Sequence, residues 1–213
     1  MRNAKILEMI NNGKIEDLKA MLQDEIYEES LKVKPNAKKR YMAMNKYFSY
    51  TDSTRDALQK PCVVEYEGEK RTSFCNSYSL ALTRESTGEI ELFDESNGTY
   101  PDVTRLIRFD GKEEKIDISR VIAEAKSKGY KLKKSEVGYG YEYLMNYGGS
   151  YFKIGLVDMT YGIINNGSEA TVYHKEGPNN PLTITTDIGI AFIMPVRYDS
   201  DPEEDGKIVI QVK

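Results

Sequence analysis

The apolar positions of this chain change spacing several times, and each change marks an element. Over the first thirty residues they recur at helical spacing. Ile6, Leu7 and Ile10 share one face, Asn12-Gly13 interrupts it, and Ile15, Leu18, Met21, Leu22 and Ile26 form a second face. That predicts helices from residue 1 to about 30, ended by the acidic stretch DEIYEES. The basic segment LKVKPNAKKRY, which holds Pro35, then reads as a connection. Its Lys38, Lys39 and Arg40 either touch phosphate or form a solvated loop.

Beyond residue 40 the period alternates between two and 3.6. TDSTRDALQK predicts a short helix, with Thr51 and Asp52 as caps and Pro61 as its stop. CVVEYEG predicts a strand turning at Gly68, RTSFCNSYSLALTRE a second strand with an irregular middle, and EIELFDESNG a third. Tyr100-Pro101-Asp102 breaks the pattern, and a charged hairpin is expected around Asp110-Gly111. DISRVIAEAKSKG is a well-marked helix, capped by Asp117, with Ile118, Val121, Ile122 and Ala125 on one face and Gly129 at its close. VGYGYEYLMNYGG predicts another short helix, with Gly148-Gly149 as the stop. YFKIGLVDM (extending toward GIINNG), EATVYHK and IGIAFIMP predict three strands. The acidic turn YDSDPEEDG and the alternating strand KIVIQVK follow. The expected fold class is α+β, with mostly antiparallel sheets, two short helices, an N-terminal helical segment and a body of roughly two βαβββ halves. Three segments result: residues 1–40, 41–197 and 198–213.

Composition narrows the function classes. The 39% hydrophobic share over 213 residues is enough for a real core. With a net charge of -4, any contact to nucleic acid needs a local basic face on an acidic body. No 18-residue apolar run is present, so no membrane span is expected. MRNAKILEMINNGK lacks a signal-peptide core, and two cysteines, Cys62 and Cys75, then predict reduced thiols in a cytoplasm.

The search for catalytic groups yields little. His174 is the only histidine, lies in an alternating strand, and has no Ser or Cys at a motif spacing. Cys62 and Cys75 lack the C-x-x-C spacing of metal or redox chemistry. Asp199, Asp201 and Asp205-Gly206 echo a calcium loop, but Glu204 stands where the loop glycine belongs and Ile210 where the bidentate Glu belongs. The Gly-Tyr-Gly of GYGYEYL is too short to cradle phosphate. The tyrosines from 139 to 161 either stack bases or pack a helix face against a sheet. The expectation is a non-enzymatic protein without cofactor or metal. One surface stands out: Arg120, Lys126, Lys128, Lys131, Lys133 and Lys134 concentrate positive charge on and after the 117–129 helix, with Glu124 diluting it. Such a strip either tracks phosphates or is a solvated helix face.

Four stretches resemble a family. SFCNSYSLAL at 73–82 is similar to the strand and loop A-T-D-G-x-R-L-A of the bacterial DNA polymerase sliding clamp, the β processivity factor. Leu80 and Ala81 match its Leu-Ala, while Asn76 stands for its Asp and Ser79 for its Arg. DESNGTYPDVTRLI at 94–107 resembles the clamp's G-[FY]-P-D-[YF]-x-x-[LV]-[IL]. VGYGYEYLMNYGG at 137–149 resembles the stretch before a clamp domain's second helix, with Tyr143 and Leu144 in register. NPLTITTDIGIAFIMPVR at 180–197 resembles the C-terminal stretch that ends in M-P-[MV]-R. The likeness covers about residues 50 to 197. It departs in the short block YKLKKSE, in the first 40 residues, and in a chain that runs on past Arg197.

The resemblance implies a DNA-clamp-like fold in which helices bearing Lys and Arg face double-stranded DNA without reading its sequence. A ring then requires a homo-oligomer. It also implies a cleft for short linear motifs of replication proteins. Carried over by position, Cys75, Ser77, Tyr78, Ser79 and Leu80 form one wall and Met194, Pro195, Val196 and Arg197 the other. Two alternatives stand beside the ring: a monomeric adaptor that keeps the peptide cleft, and an unrelated α+β protein of a phage or mobile element.

Overall fold

A computed structural model of the chain describes residues 9–10, 12–15, 36–50, 56–84, 88, 90–94, 96, 98–198 and 201–212. Ile6 and Leu7 of the first expected N-terminal helix, the part from Leu18 to Ile26 of the second, which was expected to begin at Ile15, the caps Thr51 and Asp52, and Asp199 lie outside the described residues.

Ten strands and four α-helices are described. The helices are α1 (Ala37–Tyr47), α2 (Ile118–Ser127), α3 (Lys134–Val137) and α4 (Ile154–Ile164). The first strands are β1 (Cys62–Tyr66), β2 (Glu69–Cys75), β3 (Ser79–Thr83) and β4 (Lys112–Ile116). They are followed by β5 (Tyr143–Tyr147), β6 (Ser150–Lys153), β7 (Ala170–His174), β8 (Leu182–Thr186), β9 (Gly189–Ile193) and β10 (Ile208–Gln211). Seven strands form one antiparallel sheet in the order β1-β2-β3-β9-β8-β7-β4. Three form a second sheet, β10-β5-β6, in which only the β10–β5 pairing is parallel. The chain is therefore α+β with mostly antiparallel sheets, as its periodicity predicts.

The large sheet has an internal order. α1 is followed by the meander β1-β2-β3, and α4 by the meander β7-β8-β9. The two third strands pair antiparallel at the centre, Ser79 opposite Ile193 and Thr83 opposite Gly189. β3 alternates as a doubly covered strand should. Leu80 and Leu82 join Leu58, Cys62, Tyr100 and Phe192 on one face, while Ala81 joins the main core around α4 on the other.

Three expected elements differ. The stretch 151–164 was expected to be a strand, but after β6 it becomes α4. Nine of the eleven α4 residues are buried, because the helix lies between the large sheet and the other helices. A helix apolar on every face has no polar stripe, so its sequence cannot be told from a buried strand by period. Gly155 marks its seat, since a Cβ there would stand 2.5 Å from the Glu136 carbonyl oxygen. The stretch 137–149 is not a short helix of its own: Val137 closes α3, and Tyr143–Tyr147 form β5. Gly148 (φ 56) and Gly149 (φ 83) supply the two left-handed residues of a tight hairpin into β6. Residues 37–41, expected to be part of a connection, are helical. α1 begins at Ala37, and Arg40 is buried with its guanidinium donating to the Asn165 carbonyl.

Smaller departures follow from pairing. Residues 90–94 form no strand, and the Phe93 N–H donates to Pro61 O across 2.7 Å. β4 joins β7 rather than closing a local hairpin at Gly111. The helix α2 agrees with its signals: the Asp117 carboxylate accepts from the Arg120 N–H at 2.9 Å, and Gly129 ends it at φ 101.

Candidate functional site

The two stretches expected to form a cleft do meet. β2 turns into β3 through Asn76, whose Oδ1 accepts from the N–H groups of Tyr78 (2.7 Å) and Ser79 (2.8 Å). This side-chain turn throws Tyr78 outward, 41% exposed. On the neighbouring strand β9 ends at Ile193, and the next N–H, of Met194, donates to Tyr78 O at 2.9 Å. Met194 is 42% exposed beside it. Pro195 then frees the chain from the ladder, having no N–H to give. Val196 donates to Tyr151 O at 2.7 Å and so bridges to β6 of the small sheet. Arg197 is exposed, and Tyr198 packs on the Tyr151 ring with its hydroxyl 2.9 Å from that of Tyr141.

Beneath this lip lies a lysine that sequence reasoning missed. Lys153, at the end of β6, is only 6% exposed. Its ammonium donates to Gly138 O at 2.7 Å and Val137 O at 3.3 Å. It also sits 4.6 Å from the ring centre of Tyr141, 5.2 Å from that of Tyr78 and 5.8 Å from that of Tyr139. Burial lowers its pKa. Tyr139 stands 91% exposed, its hydroxyl 3.4 Å from that of Tyr78. That neighbouring hydroxyl holds the Tyr78 phenol above its ordinary value. The available signals were a single lysine in the apolar run YFKIGLV and the closely spaced tyrosines of GYGY.

The other expected wall residues fall in two groups. Ser77 is exposed, and Pro195 and Val196 are half-buried near the lip. Cys75, Ser79 and Leu80 point inward and cannot touch a peptide: Leu80 is in the core, and burial pushes the Cys75 thiol up to about 12. The Ser79 hydroxyl lies 3.1 Å from Tyr47 Oη and accepts from Thr160 at 3.0 Å.

The six cations expected to face DNA lie along α2 and the segment after it. Arg120 and Lys131 are exposed, as is Lys134. Lys126 faces Asp158 at 3.5 Å, Lys128 faces Glu124 at 3.2 Å, and Lys133 faces the fully buried Glu136 at 3.8 Å. That pairing dilutes the strip.

His174 is a packing residue. Its Nδ1 lies 3.0 Å from Pro181 O and its ring packs against Tyr147 and Phe152. Gly148 approaches so closely that any Cβ there would collide with the ring. Among the described residues no group of His, Cys, Asp or Glu is arranged to hold a metal ion. Within them, too, no helix is long and apolar enough to cross a membrane. No family model, curated protein or solved structure matches this chain.

Proposed function

We propose that this chain is a non-enzymatic docking module of sliding-clamp-like design, working in a cytoplasm and holding short linear motifs of replication proteins. One observation carries the reading: the Met194 N–H bonds to Tyr78 O, so that two separate strands present one exposed apolar lip. Methionine adapts to varied side chains, and tyrosine supplies rigid contact area. Arg197, exposed at the rim, gives a peptide carboxylate a charge to meet. The repeated order of helix and three-stranded meander supports a clamp-like plan of two halves.

The test is fluorescence anisotropy of a labelled peptide carrying the polymerase motif that sliding clamps hold. The peptide binds the wild-type chain, and Met194→Ala with Arg197→Ala weakens binding by about tenfold or more, as loss of a central anchor does. No binding by the wild-type chain, or equal binding by the double variant, removes the proposal.

A second reading is a ring of copies around duplex DNA. It is favoured by Lys39, Lys46 and Arg120, exposed on α1 and α2. Salt-sensitive retention on circular but not linear DNA, together with a solution mass of several chains, is its expected signature.

A further inference from the structure

A groove of about 460 Å³ runs along the helical layer, between α1 and α2 and over α4. Both helices run against α4. Asn36, just before α1, and Ser119, at the start of α2, both bond to Asn165 at the end of α4. The α1 wall is Lys39, Met42, Ala43 and Lys46, and the α2 wall is Ser119, Ile122, Ala123 and Lys126. Each wall is an i, i+3, i+4, i+7 stripe, about 10 Å of helix. The floor between them is apolar, with Met159 and Gly162.

From these two stripes we infer that the groove is a docking site for an acidic amphipathic helix of a partner protein. Two facing ridges, each two turns long, are a receiving surface for helix-in-groove recognition, in which a third helix lays its own i, i+3, i+4, i+7 residues between them. Met42, 46% exposed on one ridge, is an adaptable surface for such a helix. Charge selects the flanks. Lysines stand at both ends of the α1 wall and at one end of the α2 wall. The one carboxylate in the groove, Asp158, is already met by Lys126 at 3.5 Å. Lys39 and Lys46 make no ion pair among the described residues. The arriving helix therefore carries Asp or Glu beside its apolar face. This site uses none of the residues of the Tyr78–Met194 lip.

The experiment uses the full chain and three probes: a designed 14-residue helical peptide with a Leu/Ile face flanked by Glu, the same peptide with Lys for Glu, and a short DNA duplex. Binding is read by anisotropy, and its place by the methyl NMR signals of Met42 and Met159. The acidic peptide is expected to bind and shift both methyls, leaving the Met194 methyl unmoved. Lys39→Glu with Lys46→Glu, both at exposed positions, is expected to weaken it by about tenfold and to reverse the preference toward the basic peptide. Tyr78→Ala leaves this binding intact, so its loss and loss of the lip's function are separately visible. The inference is overturned if the two peptides bind alike, if neither binds, or if the duplex, rather than the acidic peptide, moves the Met42 and Met159 signals.

Discussion

Lys153 puts a cation where most chains would put an apolar side chain. Two carbonyls and three tyrosine rings surround it, but they do not repay its lost hydration in full, and burial lowers its pKa. The sign of the consequence follows from linkage. Between the lowered value and the ordinary 10.5, the unfolded chain binds this proton and the folded chain has begun to release it. Stability contributed at this residue therefore rises with pH through that window. Comparing urea denaturation of the wild-type chain and Lys153→Met at pH 8 and near pH 10.5 isolates it. The wild type is expected to gain on the variant at the higher pH. Tyr100 and Tyr147, whose phenols burial raises, act in the opposite direction above pH 10, and the comparison cancels them because both chains carry them. Asn76 offers a second test. Its Oδ1 accepts two backbone N–H groups, while its Nδ2 is buried with no partner among the described residues. Asn76→Ala is expected to cost about 1–2 kcal/mol in denaturant unfolding. Asn76→Asp keeps the acceptor and loses the orphan donor, and is expected to stay closer to wild type at neutral pH.

At the scale of elements, α4 is the seat of the fold, and Gly155 is where it fits. In an exposed helix interior, Gly→Ala stabilises by about 0.5–1 kcal/mol. Here the sign reverses, because the new methyl would press on the Glu136 backbone. Gly155→Ala is expected to cost about 1–3 kcal/mol by overpacking, read as a lower midpoint at unchanged slope. The same helix shows what the sequence withheld. α2 was legible because half its surface meets water: its apolar stripe, its Asp117 cap and its closing glycine all point one way. α4 was not, because water touches almost none of it. β5 was misread for a different reason: its tyrosines fit a helical face as well as a strand, and Gly148-Gly149 serves a helix stop as well as a hairpin. Within the site, the meeting of Tyr78 with Met194 was legible from motif order, but the inward aim of Cys75, Ser79 and Leu80 was not. A strand covered on both faces gives no polar alternation to say which side is out.

For the whole molecule, the C-terminal residues are part of the fold rather than an appendage to it. β10 closes the edge of β5, with Val209 and Ile210 buried. Ending the chain at Tyr198 removes both side chains from the core and is expected to cost about 3–6 kcal/mol, at about 1.5–3 kcal/mol for each. Calorimetry or urea unfolding measures the loss. If the tail were only a cover over the lip, its removal would leave stability unchanged and strengthen peptide binding. The central pairing of β3 with β9 has a consequence in time. Thr83 and Gly189 lie 106 positions apart, and Ser79 and Ile193 lie 114 apart. On a ribosome adding about 5–20 residues per second, β3 waits roughly 5–20 s for its partner. Throughout that wait SLALT offers an apolar, unpaired edge to any neighbouring nascent chain. The strand that flanks the middle of the finished sheet is thus, during synthesis, the segment with most need of a chaperone.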